Sequence, residues 1–394
     1  MPVTDHPRCT LAPSRERSVL HRHPWIFSGA IARIDGQPEP GQLVTVYAAN
    51  GHRLGMGFYN PHSQIRLRMV IFGDDSFSLE VFARRLAAAA ELRSRLLPAN
   101  LTAQRLVNSD GDGLPGLVVD RYDNVLVVQF YTLGMARLRA SMVELLQHTF
   151  TPTAIIERSD SPTLKEEGLT PTSGVVWGQV PPSIEVVENG VRFEVDCLAG
   201  QKTGLFLDQR DNRAKVAELA AGKELLNCFS YTGGFSLAAA CRGAITTSVE
   251  ISGDAQRQAH KNFVLNRLDP AAHRFVQADV FEYLRAPQSP YPFIVLDPPA
   301  FIKHRSHLDK GTRAYKDINR LALGHLAPGG LLLTCSCSQH LSWDLFQKVL
   351  FAAARDSDRT VQVLGRYSQP LDHSFSIYHP EGEYLKTFLL RVTD

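Results

Sequence analysis

Two cysteines, Cys335 and Cys337, are separated by one residue at the end of an apolar run that starts at Gly330. A thiolate at the exit of a strand can act as a nucleophile, and side chains two apart on a strand share a face. A metal site is disfavoured because no second Cys/His pair with zinc-like spacing lies nearby, whereas an inert core position stays an alternative. Both cysteines are candidate nucleophiles, and Cys337 is preferred because it lies nearer the carboxyl end of the strand.

Four apolar runs upstream of the cysteines each end in residues that can hold a ligand. In chain order they are followed by the turn 228–235 with Gly233 and Gly234, by Glu250, by Asp279, and by Asp297-Pro298-Pro299. Paired glycines let the backbone approach a ligand, and an acid after the second strand can bind ribose hydroxyls. Taken singly, Glu250 or Asp279 is more typical of a helix cap. As an ordered set, the strand ends predict a ligand site.

Two missing motifs narrow the class of ligand. The turn lacks G-x-G-x-x-G, which disfavours a dinucleotide, and the chain contains no G-x-x-x-x-G-K-[ST], which disfavours ATP hydrolysis. An adenosine ligand without phosphates fits better, with its ribose on Glu250 and its base near Asp279. S-Adenosylmethionine is therefore the natural candidate for the cofactor, and no metal is expected.

From about Leu205 onward, predicted strands alternate with predicted helices, and these elements must position the residues named above. The predicted strands are Leu225–Phe229, Ile245–Val249, Arg274–Val276, Phe293–Leu296 and Gly330–Cys335. The predicted helices are Asp208–Ala221, Phe235–Arg242, Asp254–Arg267 and Trp343–Ala354. Apolar strands that alternate with helices indicate an α/β fold, in which a parallel sheet is covered on both faces. The basic run 303–313 is predicted to be a charged loop.

The first 73 residues differ from the rest in charge and in pattern. They contain eight Arg, no Lys and four acidic residues. Their apolar runs alternate with period two between Gly, Pro and Asn turns, which predicts a small β-barrel. The charge fits RNA binding and a merely Arg-rich surface equally well. Arg66 and Arg68 share a strand face and are the best candidates for phosphate contacts. Helical spacing over Ser78–Leu97 then opens a mixed β/α segment.

The composition is that of a globular protein. The chain has 394 residues, 42 Lys+Arg against 40 Asp+Glu, and 44% hydrophobic residues, which suggests two or three domains. Six scattered cysteines do not resemble a disulfide framework and indicate reduced thiols in the cytoplasm. The first ten residues contain prolines and charges where a signal peptide needs an apolar run. We expect a cytoplasmic protein without a membrane partner.

These residues belong to a longer series of motifs that run in order along nearly the whole chain. The series includes His21-Arg22-His23-Pro24-Trp25-Ile26-Phe27, Tyr59-Asn60-Pro61, Ser63-Gln64-Ile65-Arg66, DGLPGLVVDRY at 112–122, Glu157-Arg158-Ser159-Asp160 and GQKTGLFLDQR at 200–210. Together the motifs resemble the bacterial 23S ribosomal RNA cytosine-C5 methyltransferase family. The resemblance implies a PUA-type RNA-binding β-barrel at 1–73, a central mixed β/α domain at 74–190, and a Rossmann-like class I methyltransferase domain at 191–394.

The resemblance also implies the site. Cofactor contacts carry over to Phe206, Asp208, Arg210, Phe229, Ser230, Tyr231, Thr232, Gly233, Glu250, Asp279 and Asp297. Asp297 and one of the two cysteines would be catalytic, and Pro298, Pro299 and Phe301 would contact a flipped cytosine. The thiolate would add to C6 of the base so that C5 can accept the methyl group.

Two departures from the family pattern limit this transfer, and a third observation leaves one catalytic role unassigned. Asn227 stands where many class I methyltransferases have an acid, so the contact to the methionine amine is left unassigned. Ala300 stands where relatives are expected to have Lys. The loop also lacks the second cysteine that another class of RNA cytosine methyltransferases uses for product release, so the base that removes the C5 proton is unassigned.

Other functions remain open at this point. A similar domain could methylate a guanine nitrogen, which needs no nucleophile, or uracil C5. A non-catalytic RNA-binding assembly factor would use the Arg-rich barrel equally well, but it gives no reason for cysteines at a strand exit. The expected partner is large-subunit ribosomal RNA or its assembly particle, and a homodimer is compatible with the sequence.

Overall fold

The computed structural model describes residues 6–198, 200, 203–287 and 289–394. Gln201 and Lys202 of the 200–210 motif therefore lie outside the described residues, as do the first five residues of the chain. The chain forms two compact units. The first contains the chain up to Val186, Val195–Leu207 and Leu371–Gly382, and the second contains Val187–Glu194, Asp208–Pro370 and Glu383–Asp394.

The first unit begins with a six-stranded sheet in the order β2-β6-β5-β4-β1-β3. Its strands are β1 (Arg8–Leu11), β2 (Trp25–Phe27), β3 (Ile31–Asp35), β4 (Leu43–Tyr47), β5 (Arg53–Tyr59) and β6 (Ile65–Phe72), and helix α1 (Arg17–Leu20) follows β1. The pairs are antiparallel except that β1 runs parallel to β4. Apolar side chains of alternate residues form its core, as the period-two pattern predicts.

A second sheet of five strands, in the order β11-β10-β9-β8-β7, completes the first unit. Its strands are β7 (Ala103–Asn108), β8 (Leu117–Tyr122), β9 (Val125–Phe130), β10 (Ala154–Ser159) and β11 (Thr172–Gly178), and its helices are α2 (Leu79–Leu96), α3 (Leu133–Arg137) and α4 (Arg139–Phe150). The helix predicted over Ser78–Leu97 is confirmed. Phe58 of β5 and Phe82 of α2 lie in one buried cluster, so both sheets share a core.

A buried arginine joins three parts of the first unit that are far apart in sequence. Arg93 is 2% exposed and donates two hydrogen bonds to the Asp112 carboxylate, at 2.6 and 2.8 Å. It also donates to the backbone carbonyl of Asp372, at 2.7 Å. The Asp372 carboxylate accepts a bond from the backbone N–H of Arg105, at 3.0 Å. Residues 371–382 thus supply acceptors that this buried cation needs.

The second unit contains a seven-stranded sheet in the order β16-β15-β14-β17-β18-β20-β19. Strands β12 and β13 precede it in the chain and pair with each other, and each has residues in both units. The strands are β12 (Ile184–Glu188), β13 (Val191–Val195), β14 (Glu224–Cys228), β15 (Ile245–Glu250), β16 (Arg274–Gln277), β17 (Tyr291–Leu296), β18 (Leu326–Ser336), β19 (Val361–Tyr367) and β20 (Lys386–Val392). The helices are α5 (Arg210–Leu219), α6 (Gly234–Ala240), α7 (Gly253–Leu265), α8 (Val280–Arg285), α9 (Leu308–Gly324) and α10 (Trp343–Asp356).

The large sheet is covered on both faces, as predicted. Ile294 and Leu296 of β17 belong to one buried cluster, whereas Phe293 and Val295 belong to another. Strands β14 to β18 are mutually parallel, but β20 pairs antiparallel with β18 and with β19. The sheet is therefore mixed at one edge. None of the helices in the described part of the chain is long and apolar enough to cross a membrane.

Part of the basic run that was predicted to be a loop is helical. Helix α9 starts at Leu308 and continues to Gly324. Gly311, Tyr315, Ile318 and Ala322 recur at helical spacing and are buried against the sheet, which explains why the segment folds as a helix despite its charges. Only residues 303–307 of the basic run lie outside this helix.

We expect the buried ion pair between Glu188 and Arg213 to stabilise the second unit strongly. The two residues make two hydrogen bonds of 2.6 Å, and their side chains are 2% and 3% exposed. Glu188→Gln leaves the guanidinium charge buried without its counterion, which should cost about 3 kcal/mol of unfolding free energy. Urea denaturation measures this loss.

The matched control is Asp344→Asn in the exposed Asp344–Lys348 pair, whose side chains are 76% and 70% exposed. We expect this change to alter the unfolding free energy by less than about 0.5 kcal/mol. Equal losses for the two variants would contradict the argument from burial.

Candidate active site

The turn between β14 and α6 has an unusual backbone. Phe229, Tyr231 and Gly233 all have positive φ, at 60°, 48° and 79°. For a non-glycine residue this conformation costs about 1–3 kcal/mol, and it persists where surrounding contacts fix it. At Gly233 a Cβ atom would also lie only 3.0 Å from Cβ of Ala259. The turn therefore needs glycine at this position and outside support at Tyr231.

Glu250, at the end of β15, supplies that support. One carboxylate oxygen accepts the backbone N–H of Tyr231 and the other accepts that of Ser252, both at 2.9 Å. The side chain is half-buried. Because a carboxylate has about four lone-pair positions, it can hold the turn and still accept bonds from ligand hydroxyls. Glu250 thus shapes the turn and presents an acid beside it.

Asp279 has the simpler role that its position allows. It is the N-cap of α8, where its carboxylate accepts the backbone N–H of Glu282 at 3.1 Å. The helix-cap interpretation therefore applies to Asp279. The side chain is half-buried, and its contact with an adenine base stays a prediction.

Two buried polar atoms near the turn have no partner within the described residues. They are the side-chain carbonyl oxygen of Asn227 and the hydroxyl of Ser230. The amide nitrogen of Asn227 is occupied, because it donates to the Ser236 hydroxyl at 3.0 Å. Buried polar groups without a partner are uncommon in folded proteins. These two atoms are consistent with a polar ligand beside the glycine turn.

Asp297 is held by a side-chain network on one face of the sheet. Gln209 donates to the Asp297 carboxylate at 2.8 Å, and its own carbonyl accepts the amide of Asn212 at 2.6 Å. Asn212 also donates to the hydroxyl of Thr387 at 3.1 Å. Gln209 and Asn212 are 2% and 3% exposed, so these bonds fix the orientation of the carboxylate.

The neighbouring predicted contacts are also placed. The Asp208 carboxylate accepts the hydroxyl of Tyr384 at 2.8 Å, and the Arg210 side chain is 4% exposed and paired with Asp211 at 3.3 Å. Thr232 lies in the turn, where its backbone carbonyl faces the amide of Asn262 at 3.5 Å.

The two cysteines lie in different environments. Cys335 is inside β18 and fully buried, and its sulfur accepts the hydroxyl of Thr387 at 3.4 Å. Burial, with the nearby charge of Asp297, raises the pKa of the Cys335 thiol well above its usual range, so its thiolate is disfavoured. The strand ends at Ser336, so the alternation that predicted a common face does not reach Cys337. Cys337 is half-buried.

A network of hydroxyl groups surrounds the end of β18. The hydroxyl of Tyr315, from α9, lies 2.9 Å from both the Ser336 and the Ser338 hydroxyls. The Ser338 hydroxyl also accepts the backbone N–H of Ile302, at 3.2 Å. Burial raises the pKa of Tyr315 to about 12, so it stays a neutral hydrogen-bonding group. The network fixes the residues on both sides of Cys337.

Phe301, in the loop after β17, contacts both the glycine turn and helix α9. Its ring centroid lies 6.4 Å from that of Phe229 in the glycine turn and 4.8 Å from that of Tyr315. Within the same loop, Pro298 is buried and Pro299 is exposed. The structure therefore brings together the glycine turn, the Asp-Pro-Pro loop and the end of β18, as the order of the strand ends predicts.

Three predicted contact residues belong to the first unit. Phe206 is half-buried there. Arg66 donates to the backbone carbonyls of Asn60 and Pro61, and Arg68 pairs with Glu167 at 2.9 Å and stacks over Trp25 at 5.2 Å. Both guanidinium groups thus have partners within the protein, and their contact with RNA phosphates stays a prediction.

Sequence patterns did not single out Gln209 or Lys386, although both contact this site. Gln209 lies between two predicted contact residues in the 200–210 motif, so its position in the sequence could have predicted that it belongs to the site. Lys386 is 3% exposed and its ammonium nitrogen donates to the backbone carbonyl of Ser338 at 3.0 Å. A lysine at the start of a strand gives no signal of burial.

Known proteins share this architecture. A family model described as S-adenosylmethionine-dependent methyltransferase matches residues 105–376, and a PUA-like domain model matches residues 9–72. Ribosomal RNA large subunit methyltransferase I of Erwinia tasmaniensis is 43% identical over 394 residues, which cover 98% of this chain and 99% of the relative. The protein of that name from Shewanella frigidimarina is 44% identical over 393 residues, with the same coverage.

Solved structures agree along the whole chain. One described as a SAM-dependent methyltransferase from Streptococcus mutans has a TM-score of 0.84 at 25% identity, covering 98% of this chain and 100% of that one. Another, described as a methyltransferase complexed with SAH, has a TM-score of 0.85 at the same identity and coverage.

The fold and the matching family model define an S-adenosylmethionine-dependent methyltransferase with an N-terminal PUA-like domain. The chain belongs to the ribosomal RNA large subunit methyltransferase I family. S-Adenosylmethionine is therefore its cofactor, and the residues present fit it. The glycine turn leaves backbone accessible, Glu250 offers carboxylate oxygens, and Asn227 and Ser230 offer buried polar atoms without a partner in the part that the structure describes.

We expect Glu250→Gln to weaken S-adenosylmethionine binding about tenfold or more. The amide has one acceptor oxygen where the carboxylate has two, so either the Tyr231 or the Ser252 bond is lost and the strained turn is freed. Isothermal titration calorimetry measures the change in Kd. Asp254→Asn, in an acid that is 87% exposed on the adjacent helix, should leave Kd unchanged within about twofold. Similar Kd changes in both variants would indicate a general charge effect.

Proposed function

We propose that this protein methylates C5 of a cytosine in 23S ribosomal RNA, with Cys337 as the nucleophile. The proposal is supported chiefly by the position of Cys337, which is half-buried just past the end of β18. The next residue, Ser338, accepts a hydrogen bond from Ile302, which follows the Asp-Pro-Pro loop. The relatives named above carry large-subunit ribosomal RNA in their names, and the PUA-like domain is consistent with an RNA substrate. The division into domains at 1–73, 74–190 and 191–394 belongs to this proposal.

The chemistry explains why a cysteine is needed. Cytosine C5 is too weak a nucleophile to accept a methyl group unaided. The thiolate of Cys337 adds to C6 and forms a carbon–sulfur bond, and the electrons of the C5–C6 double bond then make C5 nucleophilic. S-Adenosylmethionine, when bound, supplies a methyl carbon that such a nucleophile can attack. Loss of the C5 proton to a base then expels the thiolate and restores the aromatic ring.

Asp297 has a separate role in this proposal. Negative charge builds on the cytosine ring as the thiolate adds, and transfer of a proton from a protonated Asp297 carboxyl group to N3 offsets it and leaves Asp297 as a carboxylate. The bond from Gln209 fixes the Asp297 carboxylate, so the carboxyl group is oriented before the base arrives. Pro298, Pro299 and Phe301 line the same loop and form the wall against which the flipped base packs.

The environments of the two cysteines favour Cys337 over Cys335. Cys335 is fully buried, and its thiol pKa is raised by burial. It also accepts a hydrogen bond from Thr387, which is part of the network that holds Asp297. We therefore assign a structural role to Cys335 and the covalent role to Cys337.

We expect Cys337→Ala to abolish methylation, with a loss of activity of about 10³-fold or more, because no other group can form the C6 adduct. Cys335→Ala should keep activity within about tenfold, since it removes only a buried contact. Nucleoside mass spectrometry of large-subunit RNA from cells that carry each variant measures 5-methylcytidine. RNA that contains 5-fluorocytidine should trap a covalent adduct at Cys337, because fluorine cannot leave C5 as a proton does.

The outcomes separate the alternatives. Full activity of Cys337→Ala with another methylated base missing from the deletion strain would support methylation of a guanine nitrogen. Loss of 5-methyluridine would assign uracil C5. Cofactor binding without any methyl transfer would support a non-catalytic assembly factor.

A further inference from the structure

Lys386 is a buried lysine close to the proposed nucleophile. It is 3% exposed, although lysine is rarely buried without a partner. Its ammonium nitrogen donates to the backbone carbonyl of Ser338, the residue after Cys337, at 3.0 Å. Burying an ammonium group is costly, so its position calls for a functional or structural explanation.

The sheet register explains how Lys386 reaches this place. Strand β20 pairs antiparallel with β18, and Lys386 lies opposite Ser336, the last residue of β18. The main chain then leaves the sheet through Cys337 and Ser338. Lys386 is thus paired with the residue before Cys337 and hydrogen-bonded to the residue after it.

The surroundings of Lys386 act on its pKa in opposite directions. Burial lowers the pKa of Lys386 to about 8, while Cys337 and Glu383 oppose this lowering. Tyr315, from α9, shares the Ser338 residue but stays neutral because its pKa is raised to about 12. Cys335 also keeps its proton, because its pKa is raised further by burial. Lys386 is thus the group here whose pKa is moved toward neutral pH, beside Cys337 and the Glu383 carboxylate.

We infer that Lys386 is a positioning residue that takes the proton of the Cys337 thiol and holds the resulting thiolate as an ion pair. This inference rests on the proposed role of Cys337. The proton moves from Sγ of Cys337 to the neutral amine of Lys386, so a thiol and an amine become a thiolate and an ammonium. The bond to the Ser338 carbonyl and the Glu383 charge stabilise the ammonium. The thiolate is then ready to add to C6 of the base.

The lowered pKa of Lys386 is necessary for this step. An ordinary lysine is almost fully protonated at neutral pH and cannot take a second proton. At a pKa of about 8, part of the Lys386 population is neutral near neutral pH, so its amine can accept a proton. Arginine at this position would keep the positive charge beside the thiolate but would not accept a proton.

The test is the pH dependence of Cys337 alkylation by iodoacetamide, followed by peptide mass spectrometry on the full-length protein without RNA or cofactor. In the wild type we expect a midpoint below about 8.5, the value of an ordinary thiol. Lys386→Met should raise the midpoint by one unit or more, so that alkylation at pH 7.5 slows about tenfold. Lys386→Arg should keep the midpoint low, because the charge is preserved.

Cys241 is the internal control, because it is exposed on the surface of the second unit. Its alkylation rate should be the same in all three proteins, and a change would report unfolding. If Lys386→Met does not fold, the wild-type profile still decides, since a Cys337 midpoint at or above 8.5 would overturn the inference. An unchanged midpoint in folded Lys386→Met would overturn it too.

This measurement separates the two hypotheses. Alkylation reports the state of the thiol whether or not cytosine is the substrate. A low, Lys386-dependent midpoint with no 5-methylcytidine formed would refute the proposed reaction and keep the ion pair. If methylation persists although the Cys337 thiol has a normal midpoint, the ion pair would be refuted and the proposed reaction would be kept.

Discussion

The antiparallel pairing of β20 with β18 is the interaction on which the site depends. It places Thr387 opposite Cys335 and Lys386 opposite Ser336, the last residue of β18. Through Thr387 the pairing reaches Asn212, Gln209 and finally Asp297. Through Lys386 it reaches the turn that carries Cys337. Two faces of one strand thus support two parts of the candidate site, with Asp297 on one side and Cys337 on the other.

The two cysteines show how burial divides chemistry between similar residues. Cys335 lies within the strand, with neighbours on every side, and the cost of a buried charge keeps it a thiol. Cys337 directly follows Ser336, the last residue of β18 that pairs with β20, and Lys386 is the partner of Ser336. A difference of two positions separates a fully buried cysteine from a half-buried one. The same Cys-Ser-Cys sequence in the middle of a strand would have no such asymmetry.

Much of this arrangement could be predicted from sequence. The strands that end in Glu250 and Asp297 were predictable because buried parallel strands are continuous apolar runs. Helix α9 was not predicted, because charges in the run 303–313 obscured the buried face that begins at Gly311. Strand β19 was missed because most of its side chains are exposed and a bulge interrupts its pairing near Gly365. Its pattern therefore lacks clean alternation.

The contacts of Lys386 and Gln209 could not be predicted, since they depend on register between segments far apart in the chain. Lys386 lies 48 positions from Ser338, and Gln209 lies 88 positions from Asp297. No local pattern encodes which backbone carbonyl a lysine will meet. Asp279 illustrates the opposite case, because its helix-cap role is local and was an expected alternative.

Residues 371–382 have a consequence for the order in which the molecule can be completed. They belong to the first unit, yet they follow most of the second unit in the chain. The carbonyl of Asp372 and its carboxylate satisfy Arg93 and the backbone of Arg105, more than 260 positions earlier. During synthesis Arg93 and the backbone of strand β7 would thus lack these acceptors until residues 371–382 had emerged. Such long-range closure slows folding, and it prevents any single cut from releasing either unit intact.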